Sequence, residues 1–417
     1  MKPLILNDAV VLGLLFLILV LVFQTEKSPR FRFFYQYVPA LLLVYFLPSL
    51  LNISWFAGSP MAFRIISGEH SKLYEVASRY LLPASLVLLC ISIDLKAIMQ
   101  LGPKAVAMFF TGTVGVVIGG PIAFAIVRTI APDLVSGDVW RGMTTIAGSW
   151  IGGSANQTAM KEVFQVNNQV FSVMIAVDVL VANIWMAFLL YGAGISDRLD
   201  KWLKADNSAI EAVKEKITAY QASISKMPTL TDLITVCGVA FVCVAISHAF
   251  ADWITPLIKT HAPYLDKFSL TSAFFWIVVV ATTLGLILSF VPFFRNLEGV
   301  GASKIGSLLL YVLVATIGMQ MDVTAVFSHA GLFMVGIIWM SIHAGLLILV
   351  ARLIRAPFFF LAVGSQANIG GAASAPVVAA AFHPTLAPIG VLLAVLGYAV
   401  GTYGGWLCGI ILSFLAQ

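Results

Sequence analysis

Apolar residues in this chain come in long unbroken stretches rather than in alternation. They cover residues 4–23, 33–51, 76–94, 103–128, 141–164, 170–195, 229–250, 269–292, 304–322, 330–354, 357–382 and 386–414. A bilayer hydrocarbon core of roughly 30 Å takes about 20 residues of helix, so these twelve stretches have the lengths of membrane helices. The ten-residue alternating strands of a transmembrane barrel are not the pattern seen. The expectation is an all-α polytopic membrane protein. One long polar interval, 196–228, carries Lys201, Lys204, Lys214, Lys216 and Lys226 among acids. It reads as a solvated connector between a first half, 1–195, and a second half, 229–417.

The halves repeat one order of features. LVLLCISIDLKAI (86–98) leads to a Gly-rich span ending at Arg128 and then to AGSWIGGSANQTAM (147–160). YVLVATIGMQMDVTAV (311–326) leads to a span ending at Arg352 and then to VGSQANIGGAASAP (363–376). Ile151-Gly152-Gly153-Ser154-Ala155 aligns with Ile369-Gly370-Gly371-Ala372-Ala373. An acid, an arginine and a five-residue motif recurring in order argue for duplication rather than for chance recurrence of small residues.

The two Gly-rich stretches, 141–164 and 357–382, are the most polar of the twelve. Hydrocarbon cannot satisfy backbone groups freed at a break, so an interrupted helix belongs inside protein or beside a water-filled cavity. Each stretch is long enough for one tilted span or for two arms of about 12 residues, each reaching about 18 Å. Twelve crossings make the halves parallel. Two re-entrant hairpins leave about ten spans, five per half, and make the repeats inverted. Counting Lys and Arg gives fifteen inside and nine outside for the hairpins, sixteen and eight for twelve crossings, so charge leaves both open. Inversion favours the hairpins, because it turns one site into two alternately exposed states. The expected scaffold is 4–51 with 229–292, and the expected core is 76–195 with 304–417.

Composition agrees with a membrane location: 60% of residues are hydrophobic and 10% charged, with a mean hydropathy of +0.99. A net charge of +5 would suggest nucleic acid in a soluble protein, but these basic residues sit between apolar stretches, so no nucleic-acid partner is expected. The four cysteines lack CxxC spacing, the histidines are scattered, and no P-loop lysine motif occurs. Neither a cofactor nor a metal beyond a coupling Na⁺ is expected. Residues 4–23 read as a retained first span in a multi-pass protein of the bacterial inner membrane.

IGGSANQTAM and SQANIGGAASAP, with AVDVLVANIWMAFLL (176–190) and LGYAVGTYGG (396–405), resemble the YjcL-like membrane proteins of unknown function (DUF819) across nearly the whole chain. That family is grouped with sodium-coupled carboxylate, glutamate and bile-acid transporters and with cation/proton antiporters. The resemblance implies inverted repeats, a core moving against a scaffold, and a homodimer. Where the family signature has Asp followed by Asn, this chain has Asp178 followed by Val179, with Asn183 a turn later.

Asp178 lies in the middle of an apolar stretch, where an acid costs about 2.5–3.5 kcal/mol on insertion scales, so it is expected to face a partner or water. A carboxylate there can neutralise Na⁺ or accept a proton, and Thr158 and Asn183 complete the expected cation-coupling set. The expected solute set is Ser149, Gly152, Gly153, Ser154, Asn156 and Gln157 from one break, and Ser365, Asn368, Gly370, Gly371 and Ser374 from the other. Asp94 and Asp322 sit at stretch ends, and His343 reads as a satisfied core group or a proton shuttle. The function expected is a secondary active transporter for a small anionic or zwitterionic solute, coupled to Na⁺ or H⁺. The alternatives are a cation antiporter, a channel, or a membrane enzyme with Ser149 or Ser154 as nucleophile.

Overall fold

The computed structural model spans the chain, and the structure describes residues 3–35, 38, 40–53, 63–205, 227–321, 331–383 and 386–417. The first half contains α1 (Asp8–Lys27), α2 (Ala40–Asn52), α3 (Leu73–Ile91, with a π-helical turn at Ala77–Leu81), α4 (Pro103–Ile130), α5 (Val139–Val163) and α6 (Asn168–Gly194). The second contains α7 (Leu230–His261), α8 (Ala273–Ser289), α9 (Ala302–Gly318), α10 (Leu332–Leu353), α11 (Phe358–Ile369), α12 (Gly371–Phe382) and α13 (Ala387–Ala416). Each apolar stretch of the sequence therefore forms helix. Among the described residues the only pairing of extended chain is an isolated bridge between Pro3 and Arg64.

Local chemistry sets the ends. The Asn167 side chain accepts the Val170 N–H at 2.9 Å and starts α6, while Thr229 and Asp232 form a capping box at α7. Helix α7 continues past the expected end at 250, because Asp252 is one charge in a run that includes exposed Trp253 and Leu257. Seven described helices are long and apolar enough to cross a membrane, or up to nine if each sharply bent helix pair is one span. The protein is a multi-pass, all-helical membrane protein. Much of the connector, 206–226, lies outside the described residues, as does Asp322.

Both Gly-rich stretches are helical hairpins. Within α5 the Trp140 and Phe164 rings lie 6.2 Å apart and Arg141 Nη1 donates to the Phe164 carbonyl at 2.8 Å. A straight helix would separate positions 141 and 164 by about 34 Å, so the arms fold back, reversing at Gly153 (φ 74°, ψ −171°). Phe382, at the end of α12, lies 6.0 Å from Phe358 and 5.2 Å from Phe359. The chain between reverses at Gly370 and Gly371, where Gly371 has φ 57°. The second glycine of each Ile-Gly-Gly motif is thus the residue with positive φ.

Packing divides the helices into two groups. One contains α1, α2, α3, α7, α8 and α9; the other contains α4, α6, α10, α13 and the two hairpins. Helices α3 and α9, grouped with the core in the sequence division, pack most extensively against α8 and α7, α2 and α1, and each other. Exchanging the halves maps several contacts onto others: α1 on α9 with α7 on α3, α2 on α9 with α8 on α3, and the first hairpin on α13 with the second on α6. Helix α13 meets the first hairpin through Gly397, Gly401, Gly405 and Gly409. A methyl group at Gly401 would stand 2.7 Å from the Gly152 Cα, so the two backbones touch.

Candidate functional site

The hairpin tips share one cavity of about 350 Å³. Ser149, Gly153 and Ser154 enter from the first hairpin, and Gln366, Gly370, Gly371 and Ser374 from the second. Helix α6 adds Asp178 and Asn183, α13 adds Tyr398, and the other helix group closes the wall with Leu41, Ser307, Leu310 and Tyr311. The cavity therefore lies between the two groups of helices, in the size range of small-molecule sites. A larger open basin of about 960 Å³ lies at the base of the first hairpin, lined by Arg79, Arg141, Lys161 and Glu162. There the Tyr74 hydroxyl of α3 bonds Glu162, and Lys161 Nζ donates to the same hydroxyl at 2.7 Å.

Asp178 is buried and receives three hydrogen bonds from the first hairpin. Ser149 Oγ and Gln157 Nε2 donate to Oδ2 at 2.6 and 2.7 Å, and Trp150 Nε1 donates to Oδ1 at 2.6 Å. Every partner is a donor, the set an ionised carboxylate accepts, and three of its roughly four acceptor positions are filled. Tyr45 of α2 donates to Gln157 Oε1 at 3.3 Å, which links this network to the other helix group. The Trp150 indole is fully buried and holds the acid rather than lining the cavity.

Other expected site residues hold the hairpins in place. Asn156 donates to the carbonyls of Tyr398 (2.9 Å) and Gly152 (3.2 Å) and accepts from Thr402 Oγ1 (2.6 Å). Asn368 donates to the carbonyls of Phe109 and Gly364, both at 2.9 Å, and accepts from Thr113 Oγ1 at 2.8 Å. Both amides are fully buried, each tying its hairpin to a helix of the opposite half. Thr158 donates to the Ser154 carbonyl at 3.0 Å, and Gly152 packs against α13; neither lines the cavity. Asn183 lines it with its Nδ2 bonded to the Val179 carbonyl at 2.7 Å.

Ser365 also points away from the cavity. Its hydroxyl lies 2.8 Å from His343 Nε2 and accepts from Trp185 Nε1 at 2.8 Å, while His343 Nδ1 lies 3.0 Å from the Gly112 carbonyl. Both ring nitrogens have partners, so His343 is a satisfied core histidine. Asp94 lies 3.6 Å from Arg295. Arg128 bonds the Leu415 carbonyl and Arg352 covers the Trp202 ring, so neither reaches the cavity.

The cavity also takes in polar residues outside the expected set, among them Gln366, Ser307 and Tyr311. Gln366 lies within SQANIGGAASAP, between the expected Ser365 and Asn368. Ser307 and Tyr311 stand four residues apart on one face of α9, a spacing that signals a shared face but not what that face meets. Gln366 Nε2 donates to Ser374 Oγ at 2.6 Å, while its Oε1 is buried with no hydrogen-bond partner. Among the described residues no three His, Cys, Asp or Glu side chains cluster as metal ligands. A cation in this cavity would meet one carboxylate and neutral oxygens, a donor set suited to Na⁺.

A multi-helix membrane fold with two hairpin tips in one cavity defines the class, and comparison with known proteins gives the family. The chain matches the family described as Protein of unknown function (DUF819) over residues 13–415 and belongs to it. It is similar to the "Uncharacterized membrane protein YjcL" of Bacillus subtilis (strain 168): 26% identical over 348 residues, covering 81% of this chain and 83% of that protein.

Proposed function

We propose that the protein is a secondary active transporter moving a small anionic or zwitterionic solute, of the carboxylate or amino-acid class, in symport with Na⁺ or H⁺. The observation that carries this reading is the meeting of both hairpin tips and Asp178 in one cavity between two groups of helices. A hairpin returns to the side from which it entered, so each half makes five crossings and the halves are inverted. The tips present the starts of their second arms, where backbone N–H groups lack intrahelical acceptors and favour an anionic group. Asp178 holds the coupling cation.

Alternating access follows from an elevator movement of the group carrying the hairpins against the group carrying α2 and α9. The Tyr45–Gln157 and Tyr74–Glu162 contacts cross that boundary and must break during it. The protein acts as a homodimer in the bacterial inner membrane, and not as an enzyme. Ser149 donates to Asp178, and the serine beside a histidine, Ser365, is fully buried away from the cavity.

The test is flux in proteoliposomes. Uptake of a carboxylate or amino acid driven by an inward Na⁺ or H⁺ gradient, and lost in Asp178→Asn, is the expected result. Cation exchange with no organic solute would replace this reading with an antiporter. Single-channel currents would replace it with a channel.

A further inference from the structure

We propose that the solute is a zwitterion with no net charge, an amino acid whose ammonium group meets Gln366 and whose carboxylate meets the hairpin tips, rather than a simple carboxylate. This rests on the transport reading of the same cavity and narrows its substrate class.

The first observation is the charge inventory. Among the described residues lining the cavity, Asp178 is the one carboxylate, and no Lys, Arg or His is present. A coupling cation at Asp178 makes the pair neutral. A solute with net negative charge would then sit in a low-dielectric cavity with no cationic side chain opposite it, the arrangement buried charges avoid. A solute carrying both charges brings its own balance.

The second observation is the unpartnered oxygen. Gln366 is 2% exposed, its Nε2 is fixed on Ser374, and its Oε1 has no hydrogen-bond partner, although Gln366 lines the cavity. An acceptor left buried and unpaired calls for a donor. An ammonium supplies N–H donors and a carboxylate supplies none. In the same lining, Ser154 and Gly371 open the second arms of the hairpins, where N–H donors suit the solute's carboxylate. Tyr311 and Tyr398 add aromatic faces, a surface that also attracts a cation.

The experiment measures the apparent melting temperature of the full chain in nanodiscs with Na⁺. The probes are the twenty standard amino acids, each compared with the acid that lacks its α-amine. At least one amino acid is expected to raise the melting temperature while its deaminated partner does not. Gln366→Leu is expected to weaken that amino acid roughly 10- to 100-fold, the effect of one hydrogen bond to a charged group. Gln366→Glu keeps an oxygen in place and an acceptor for Ser374, so it controls for folding and is expected to shift preference toward amino acids with cationic side chains.

Three results would overturn the proposal: a deaminated acid that stabilises as strongly as its amino acid, no stabilisation by any amino acid, or a response to Na⁺ alone that Gln366→Leu abolishes. Flux separates this from the broader reading. A carboxylate that is transported sinks the zwitterion and keeps the transporter. An amino acid that binds without crossing does the reverse.

Discussion

The two hairpins begin from the same motif and end with different chemistry. In each, the residue four after the first glycine presses on that glycine: Asn156 on Gly152 and Ser374 on Gly370. In each, a buried asparagine ties the hairpin to a helix of the other half. Only the first hairpin surrounds an acid, with Ser149, Trp150 and Gln157 all donating to Asp178. The second is held by neutral groups, the Gln366–Ser374 bond and the His343–Ser365–Trp185 chain. The shared Ile-Gly-Gly motif and buried asparagine give the two hairpins a common frame, while a few differing side chains put charge on one side of the cavity. One tip is suited to a cation and the other to a neutral amide contact.

The largest expected effect tests that asymmetry. Asp178→Asn keeps the side chain's shape but removes the charge and sets an amide N–H₂ against at least one of the three donors. Its affinity for the coupling cation, read from Na⁺-dependent thermal stability, is expected to fall on the order of 100-fold. The same measurement on Asn368→Ala should stay within a few-fold of the parent. Equal losses at both positions would abolish the distinction between the hairpins.

The turns differ as well. Gly153, at φ 74° and ψ −171°, occupies a region essentially reserved for glycine, and nothing nearer than Tyr398 at 3.9 Å would oppose a methyl group. Gly153→Ala is therefore a backbone effect of about 1–3 kcal/mol. Gly371 sits at φ 57°, so Gly371→Ala costs about 1–2 kcal/mol and asparagine there recovers part of the loss. Denaturation of the four alanine and asparagine variants checks this, and an asparagine tolerated equally well at 153 would contradict it.

The buried anchors should behave alike. Asn156→Ala and Asn368→Ala each leave buried partners unpaired and are expected to destabilise by about 1–3 kcal/mol, measured as a shift in unfolding midpoint. A cost confined to one of them would break the equivalence. The smallest effect is Tyr45→Phe, which removes a 3.3 Å bond between the helix groups. It should lower stability by less than about 1 kcal/mol while raising the exchange rate between access states, followed by single-molecule distance measurements.

Much of the fold could be read from local properties. The twelve apolar stretches became helices because hydropathy and length act over neighbouring residues, and capping residues such as Asn167 and Thr229 mark their ends. The Ile-Gly-Gly motifs located both reversals, since a turn with positive φ needs glycine wherever it falls. The site was legible only in part. Of the residues singled out for polarity in apolar surroundings, Ser149, Ser154, Asp178, Asn183 and Ser374 line the cavity. Asn156, Asn368 and Ser365 have the same polarity but turn inward, because the hairpins need buried anchors.

Sequence alone therefore determined that the chain is helical and membrane-embedded, where its helices break, and that its halves share a pattern. Tertiary structure decided which face of each hairpin meets the cavity, which three donors hold Asp178, and that Gln366 rather than its neighbours carries an unpaired oxygen. The reason is physical. A helix or a glycine turn is fixed by residues a few positions apart, whereas Gln366 acquires its role from where Ser374 and the facing helix α9 lie once the whole molecule has packed.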